Sequence, residues 1–154
     1  MECEFASHLP NGVSLHTARL PLREVTIEGL AEMDVAIRVG AQALGDAGVD
    51  VIVYGCTTGS LIFGAKHASA IAEEIESLSL PAVVTAKAVV DSINENGGQR
   101  IVVATPYLAE LNQKEKEFLE ANGLEVLAIE GLGLKDNLEI GRQEPHVAYR
   151  LGRR

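Results

Sequence analysis

The chain is predicted to be an α/β protein built on parallel sheets flanked by helices, and three observations predict it. Short apolar runs rich in Val, Ile and Leu, at 51–54, 82–85, 101–105 and 124–129, alternate with helical periodicities, the order from which parallel βαβ units are built. At 154 residues and 47% hydrophobic content, the chain suits one domain of ordinary size with a sizeable core. Turn signals punctuate these runs, with Asn-Gly at 11–12 and 122–123, Gly48, and Gly-Gly at 97–98.

In chain order, residues 1–5 read as the inside of an opening helix that carries Cys3. Residues 13–20 alternate apolar and polar side chains and break at Pro21, which predicts a strand with His16 and Arg19 on opposite faces. Thr26 is placed to cap a helix. Leu30, Met33, Ile37, Ala41 and Leu44 then step by three or four along one stripe, predicting helix as far as Gly45. Residues 51–54 carry no polar interruption, which predicts a strand buried on both faces. It ends in a Gly-Cys-Thr-Thr-Gly-Ser loop at 55–60, at the carboxyl end of a strand, the ligand-binding edge of open α/β sheets.

Helix follows at 67–78, strand at 82–85 behind Pro81, and helix at 86–96 up to Gly97-Gly98. A strand at 101–105, a helix at 108–121 and a strand at 124–129 come next. Residues 131–137 form a glycine-rich loop, and a last helix runs over 144–151 with Pro145 in its first turn. An internal repeat runs through this order. KEKEF at 114–118, Asn122-Gly123, a strand and GLGL at 131–134 echo MECEF at 1–5, Asn11-Gly12, a strand and RLPL at 19–22. Two α/β halves are expected, residues 1–98 carrying Cys56 and residues 99–154 beginning the second. In this scheme the first half lacks its first strand and the second half lacks its C-terminal part.

A net charge of −9 and a pI near 4.9 argue against a nucleic-acid surface. No stretch reaches the roughly 18 apolar residues of a membrane span, and the N-terminus lacks a signal-peptide layout, so a cytoplasmic setting is expected. Two cysteines, Cys3 and Cys56, are too few for a disulfide scaffold, and the four histidines have no ligand spacing with them. No metal is expected.

Cys56 is the candidate catalytic residue. The amides of the following loop favour anions, so a nucleophile or acid/base with a depressed pKa is one reading and a small buried hydrophobe the other. A phosphate cradle is a third, without the Gly-Lys-Ser/Thr ending of a P-loop. Tyr107 closes the 101–105 strand at the same edge, where a hydrogen bond to a carboxylate and simple packing are both open. Asn137 is ordinarily a turn former. Arg19 at a strand end is better read as solvated than as a substrate ligand.

HTARLPL at 16–22, DVIVYGCTTGS at 50–60, ATPY at 104–107 and DNLEIGR at 136–142 resemble, in order and over nearly the whole chain, the maleate cis–trans isomerase and arylmalonate decarboxylase branch of the aspartate/glutamate racemase superfamily. The resemblance implies two similar α/β halves, each supplying one cysteine, with substrate carboxylates bound between them. It implies that Cys56 adds to the double bond of maleate and that Thr57, Thr58, Tyr107 and Asn137 contact the substrate. No cofactor is implied. The decarboxylase has glycine at the first cysteine position and the racemases read Cys-Asn-Thr-Ala, so the isomerase is the nearest reading. The family's opening loop, with its substrate-binding asparagine, and its second cysteine have no counterpart here, and Cys3 on the opening helix is no substitute. A fragment with little activity alone is therefore expected, probing a small dicarboxylate and prone to form homo-oligomers. The alternatives are a racemase or decarboxylase of another small acid, or a non-catalytic oligomerisation module.

Overall fold

In the computed structural model the described residues are 2–153; Met1 and Arg154, the outermost residues of the two expected halves, lie outside them. The element order is α1 (Glu2–His8), α2 (Ile27–Asp34), α3 (Ile37–Asp46), β1 (Ile52–Tyr54), α4 (Thr57–Leu61), α5 (Ala65–Glu76), β2 (Ala82–Val84), α6 (Thr85–Glu95), β3 (Arg100–Thr105), α7 (Ala109–Ala121), β4 (Glu125–Gly131), α8 (Asn137–Gly141) and α9 (Pro145–Leu151). The α/β class with parallel strands and flanking helices is as the sequence predicts. Among the described residues the strands form two separate pairs, β1 with β2 and β3 with β4, both parallel.

Four expectations are corrected. Residues 13–20 are irregular, because no described strand lies alongside to take their N–H and C=O groups. His16 and Arg19 therefore do not stand on opposite faces of a strand, and Arg19 is an exposed side chain paired with Glu2 on α1. The single helix expected from Thr26 to Gly45 is two, α2 and α3, separated at Val35 and Ala36. The start is as read, since Thr26 Oγ1 accepts from the Gly29 N–H at 3.1 Å. β1 is buried on one face only: Ile52 and Tyr54 point into the core, whereas Val53 is 46% exposed beside its register partner Val83 at 42%. The 55–60 segment is not a loop throughout, because Cys56 caps a short helix, α4.

The core lies between the inward faces of both strand pairs and the helices, drawing on Leu30 and Met33 of α2, Leu61 of α4, Ile71 and Ile75 of α5, Val90 of α6, and Leu111 and Phe118 of α7. In the second pair a register irregularity falls between Ile101 and Val102, after which the outer face shows Val102, 62% exposed. The expected turns at Gly12, Gly48, Gly97 and Gly123 all have φ near +70 to +90°, the left-handed region glycine occupies at little cost.

The segments that follow RLPL at 19–22 and GLGL at 131–134 meet. Glu24 forms an antiparallel bridge with Asp136, the Val25 N–H donates to the Lys135 carbonyl at 2.7 Å, and the Asn137 N–H donates to the Arg23 carbonyl at 3.0 Å. When RLPL at 19–22 is matched to GLGL at 131–134, Glu24 and Asp136 fall at equivalent positions.

Candidate active site

Cys56 stands two residues beyond β1, with extended backbone, as the N-cap of α4. Its Sγ accepts from the Gly59 N–H at 3.3 Å, a contact that aims the sulfur back over the first turn. Ser60 fixes this turn from beneath. Fully buried, its Oγ donates to the Cys56 and Thr57 carbonyls at 2.9 and 2.8 Å and accepts from the Ala86 N–H of α6 at 3.1 Å. Gly59 is required by close approach: a Cβ there would lie 2.6 Å from Tyr54 Oη, 2.8 Å from Met33 Cε and 3.1 Å from Cys56 Sγ.

Tyr107 is delivered by the turn after β3. Its N–H donates to Thr105 Oγ1 at 3.1 Å, and its carbonyl accepts from the Gly133 N–H at 3.1 Å, so the turn is stitched to the chain leaving β4. The Thr105 hydroxyl also donates to Asn112 Oδ1 of α7 at 2.5 Å. The Tyr107 phenol meets the hydroxyl of Thr58, which is only 1% exposed. Cys56, Thr58 and Tyr107 are thus brought together. Thr57, half-buried, opens α4 beside them. Asn137 Nδ2 donates to the Leu22 carbonyl at 3.0 Å, at the crossing of the two repeat segments.

Burial sets the electrostatics. It pushes the Cys56 thiol up; the Gly59 N–H offsets part of that and the Asp34 carboxylate adds to it. The depressed pKa expected from the loop amides is therefore corrected, because one amide donor does not outweigh desolvation. Tyr107 is pushed up by burial, relieved by Thr58 and reinforced by Glu115 and Cys56. Glu115, half-buried on α7 with an unpartnered Oε2, is pushed up to about 7 by burial.

A second cluster lies behind Cys56. Asp34 Oδ2 is 2.9 Å from His67 Nε2, an ion-pair distance outside aligned hydrogen-bond geometry, and the Asp34 carboxylate also interacts with the Tyr54 hydroxyl. Burial raises Asp34, and His67 and Tyr54 oppose the rise. Burial, then Cys56 and Asp34, raise Tyr54. Cavities of about 440 and 410 Å³ lie beside the site, one between Phe63 and Phe118, the other between Asp34 and Glu74; neither is lined by Cys56. Among the described residues no group of three His, Cys, Asp or Glu is placed to hold a metal ion.

Asp34, His67 and Glu115 were not among the residues singled out in the sequence, although each carries a legible signal. Asp34 stands four residues after Leu30 and three before Ile37. His67 stands four before Ile71, and Glu115 lies between Leu111 and Leu119 at four-residue steps. Each is an ionisable side chain on a helix stripe that is otherwise core.

The sequence profile of the arylmalonate decarboxylase family matches residues 4–154. The chain belongs to this family. Arylmalonate decarboxylase family relatives include the maleate isomerase of Geobacillus stearothermophilus, 31% identical over 138 residues, 86% of this chain and 55% of that protein. The maleate isomerase of Alcaligenes faecalis is 26% identical over 151 residues, 94% of this chain and 60% of that protein. The chain thus spans little more than half the length of these curated relatives. Among solved structures, a cysteine-to-alanine variant of the maleate isomerase of Pseudomonas putida S16 with maleate has a TM-score of 0.87 at 28% identity, covering 95% of this chain and 61% of that one. A Nocardia farcinica maleate cis-trans isomerase variant with a covalently bound succinylcysteine intermediate has a TM-score of 0.91 at 24% identity, covering 97% and 64%. The fold is therefore that of the aspartate/glutamate racemase-like enzymes, and the chain is a member of an isomerase-like enzyme family. Among the described residues no helix is long and apolar enough to cross a membrane.

Proposed function

We propose that the chain carries one wall of a cofactor-independent cis–trans isomerase acting on a small unsaturated dicarboxylate such as maleate, with Cys56 as nucleophile. The observation that carries this is the seat of Cys56, a half-buried thiol at the carboxyl end of β1, aimed by the Gly59 amide and flanked by Thr58 and Tyr107. The Cys56 sulfur adds to one alkene carbon while a proton adds to the other, giving a succinyl thioether. Rotation about the new C–C single bond, then loss of a proton from the second carbon with departure of the thiolate, gives fumarate and returns the thiol. Electrons balance without a redox partner. Thr57, Thr58 and Tyr107 supply donors for a carboxylate, and Asn137 contributes from the repeat crossing.

The two α/β halves, 1–98 and 99–154, belong to the same proposal. It is supported by the Glu24–Asp136 bridge, which joins equivalent repeat positions antiparallel, as a two-fold relation requires. The other thiol, Cys3, is exposed on α1, so turnover by the isolated chain is expected to be weak for want of a second proton-moving thiol. The bare sheet faces favour a second reading, a non-catalytic oligomerising module.

Incubation with maleate tests the proposal. The Cys56 peptide is expected to gain the mass of one maleate, and Cys56→Ser to abolish the gain. A folded protein left unmodified sinks the nucleophile assignment, and fumarate released by the purified chain excludes the non-catalytic module.

A further inference from the structure

Cys56 is held from a distant element as well as from its own turn. Helix α6 begins directly after β2, and its N-cap residue is Val84, whose side chain makes no capping bond. An amide of its first turn is satisfied across the fold instead, because the Ala86 N–H donates to Ser60 Oγ at 3.1 Å. Beside it the Thr85 hydroxyl donates to the Tyr54 carbonyl at 2.5 Å, a bond between residues 31 apart in sequence. Ser60 is wholly buried and extends the grip: its Oγ lies 2.9 Å from the Cys56 carbonyl, which also accepts from the Ser60 N–H at 3.1 Å. The start of α6 therefore reaches the main chain at Tyr54 and, through Ser60, at Cys56. The residue between them is Gly55, which has no side chain to anchor.

We propose that Thr85 and Ser60 are positioning residues for Cys56, a two-point clamp through which the start of α6 sets the direction in which the sulfur is presented. This deepens, and rests on, the assignment of Cys56 as the nucleophile. Each carbonyl belongs to a planar peptide unit, so holding those of Tyr54 and Cys56 fixes the planes that lead into and out of the Gly55–Cys56 step. The Gly59 N–H, 3.3 Å from Sγ, then aims the sulfur from a backbone already in place. Neither hydroxyl is bonded to the sulfur, since that of Thr85 is engaged with Tyr54 and that of Ser60 with the Cys56 and Thr57 carbonyls. The clamp thus acts on direction. Addition to a bound alkene depends on that direction, whereas a small reagent free to approach the thiol from several sides does not.

Thr85 is half-buried, so Thr85→Val deletes the hydroxyl at constant shape and Thr85→Ser restores it. In a Cys3→Ser background, addition of Cys56 to maleate and its alkylation by iodoacetamide are both followed by peptide mass. Thr85→Val is expected to lower the first-order rate at saturating maleate by about tenfold, with the half-saturating concentration and the iodoacetamide rate each within about twofold of the parent. Thr85→Ser is expected to return the maleate rate. An unchanged maleate rate overturns the clamp, and so does a parallel fall of both rates, which is what simple destabilisation gives. Amide exchange by NMR needs no substrate. Thr85→Val is expected to speed exchange at the Gly59 N–H by about tenfold relative to the amides of α7, and Thr85→Ser to restore it; equal exchange overturns the clamp. Ser60→Ala is expected to quicken Ala86 and Gly59 together, and an unmoved Gly59 removes Ser60 from the clamp. If that variant does not fold, the two Thr85 variants decide. No maleate adduct in the parent, with Gly59 exchange moved by Thr85→Val and restored by Thr85→Ser, removes the isomerase reading and keeps the clamp. An adduct formed equally fast by parent and Thr85→Val, with equal exchange, does the reverse.

Discussion

Glu115 shows what a carboxyl costs when it occupies a core stripe. Its pKa is about 7 in the fold against 4.5 for an ordinary Glu, so the folded state holds its proton more tightly than the unfolded chain. The associated stability is full below about pH 4.5 and is lost as pH rises through 7, on the order of 3 kcal/mol at most. Glu115→Gln is expected to flatten the thermal midpoint between pH 5 and 8 and to raise it at the alkaline end, as scanning calorimetry would record. A wild-type profile that already rises over that interval contradicts the assignment. Gly59→Ala is expected to cost about 1–3 kcal/mol in urea unfolding, since the added methyl meets Tyr54, Met33 and Cys56 at once. It is expected to slow Cys56 alkylation as well, because the same methyl crowds the sulfur.

At the scale of elements, the site is the work of two strand-to-helix turns that the fold holds differently. The turn after β1 is fastened by Ser60 within α4 and to α6. The turn after β3 is fastened by Thr105, which is buried, bonds Asn112 and receives the Tyr107 N–H. Asn112→Ala is expected to destabilise the protein by about 1–3 kcal/mol, because the Thr105 hydroxyl loses its buried acceptor. Tyr107 is expected to loosen with it, read as faster amide exchange at Tyr107 and Gly133; unchanged protection there shows that Asn112 does not hold the turn. The strand expected at 13–20 failed at this same scale. Alternation of apolar side chains is a property of the segment, whereas a strand also needs a neighbour for its backbone.

For the whole molecule, the outer faces of both strand pairs are the largest departure from the expected architecture. Val53 and Val83 lie side by side on one, Val102 marks the other, and all three are exposed. Exposed apolar surface of this kind favours association. The sedimentation coefficient of the purified chain is expected to rise with concentration, and a Val53→Lys, Val83→Lys double variant to lower that rise while leaving the circular dichroism spectrum intact. A concentration-independent monomer removes the homo-oligomer expectation.

By itself the sequence determined the α/β order, the turns at Gly12, Gly48, Gly97 and Gly123, the Thr26 cap, and the candidacy of Cys56 and Tyr107, each at the carboxyl end of a parallel strand. Propensity, periodicity and turn chemistry act over a few residues, and so they are readable along the chain. The tertiary structure decided which face of β1 is covered, that Thr58 meets Tyr107, and that desolvation raises the Cys56 thiol. It also brought Asp34, His67 and Tyr54 behind that thiol from three different elements. Burial and long-range charge depend on what packs against a residue, and neighbours distant in sequence are set only when the chain closes on itself.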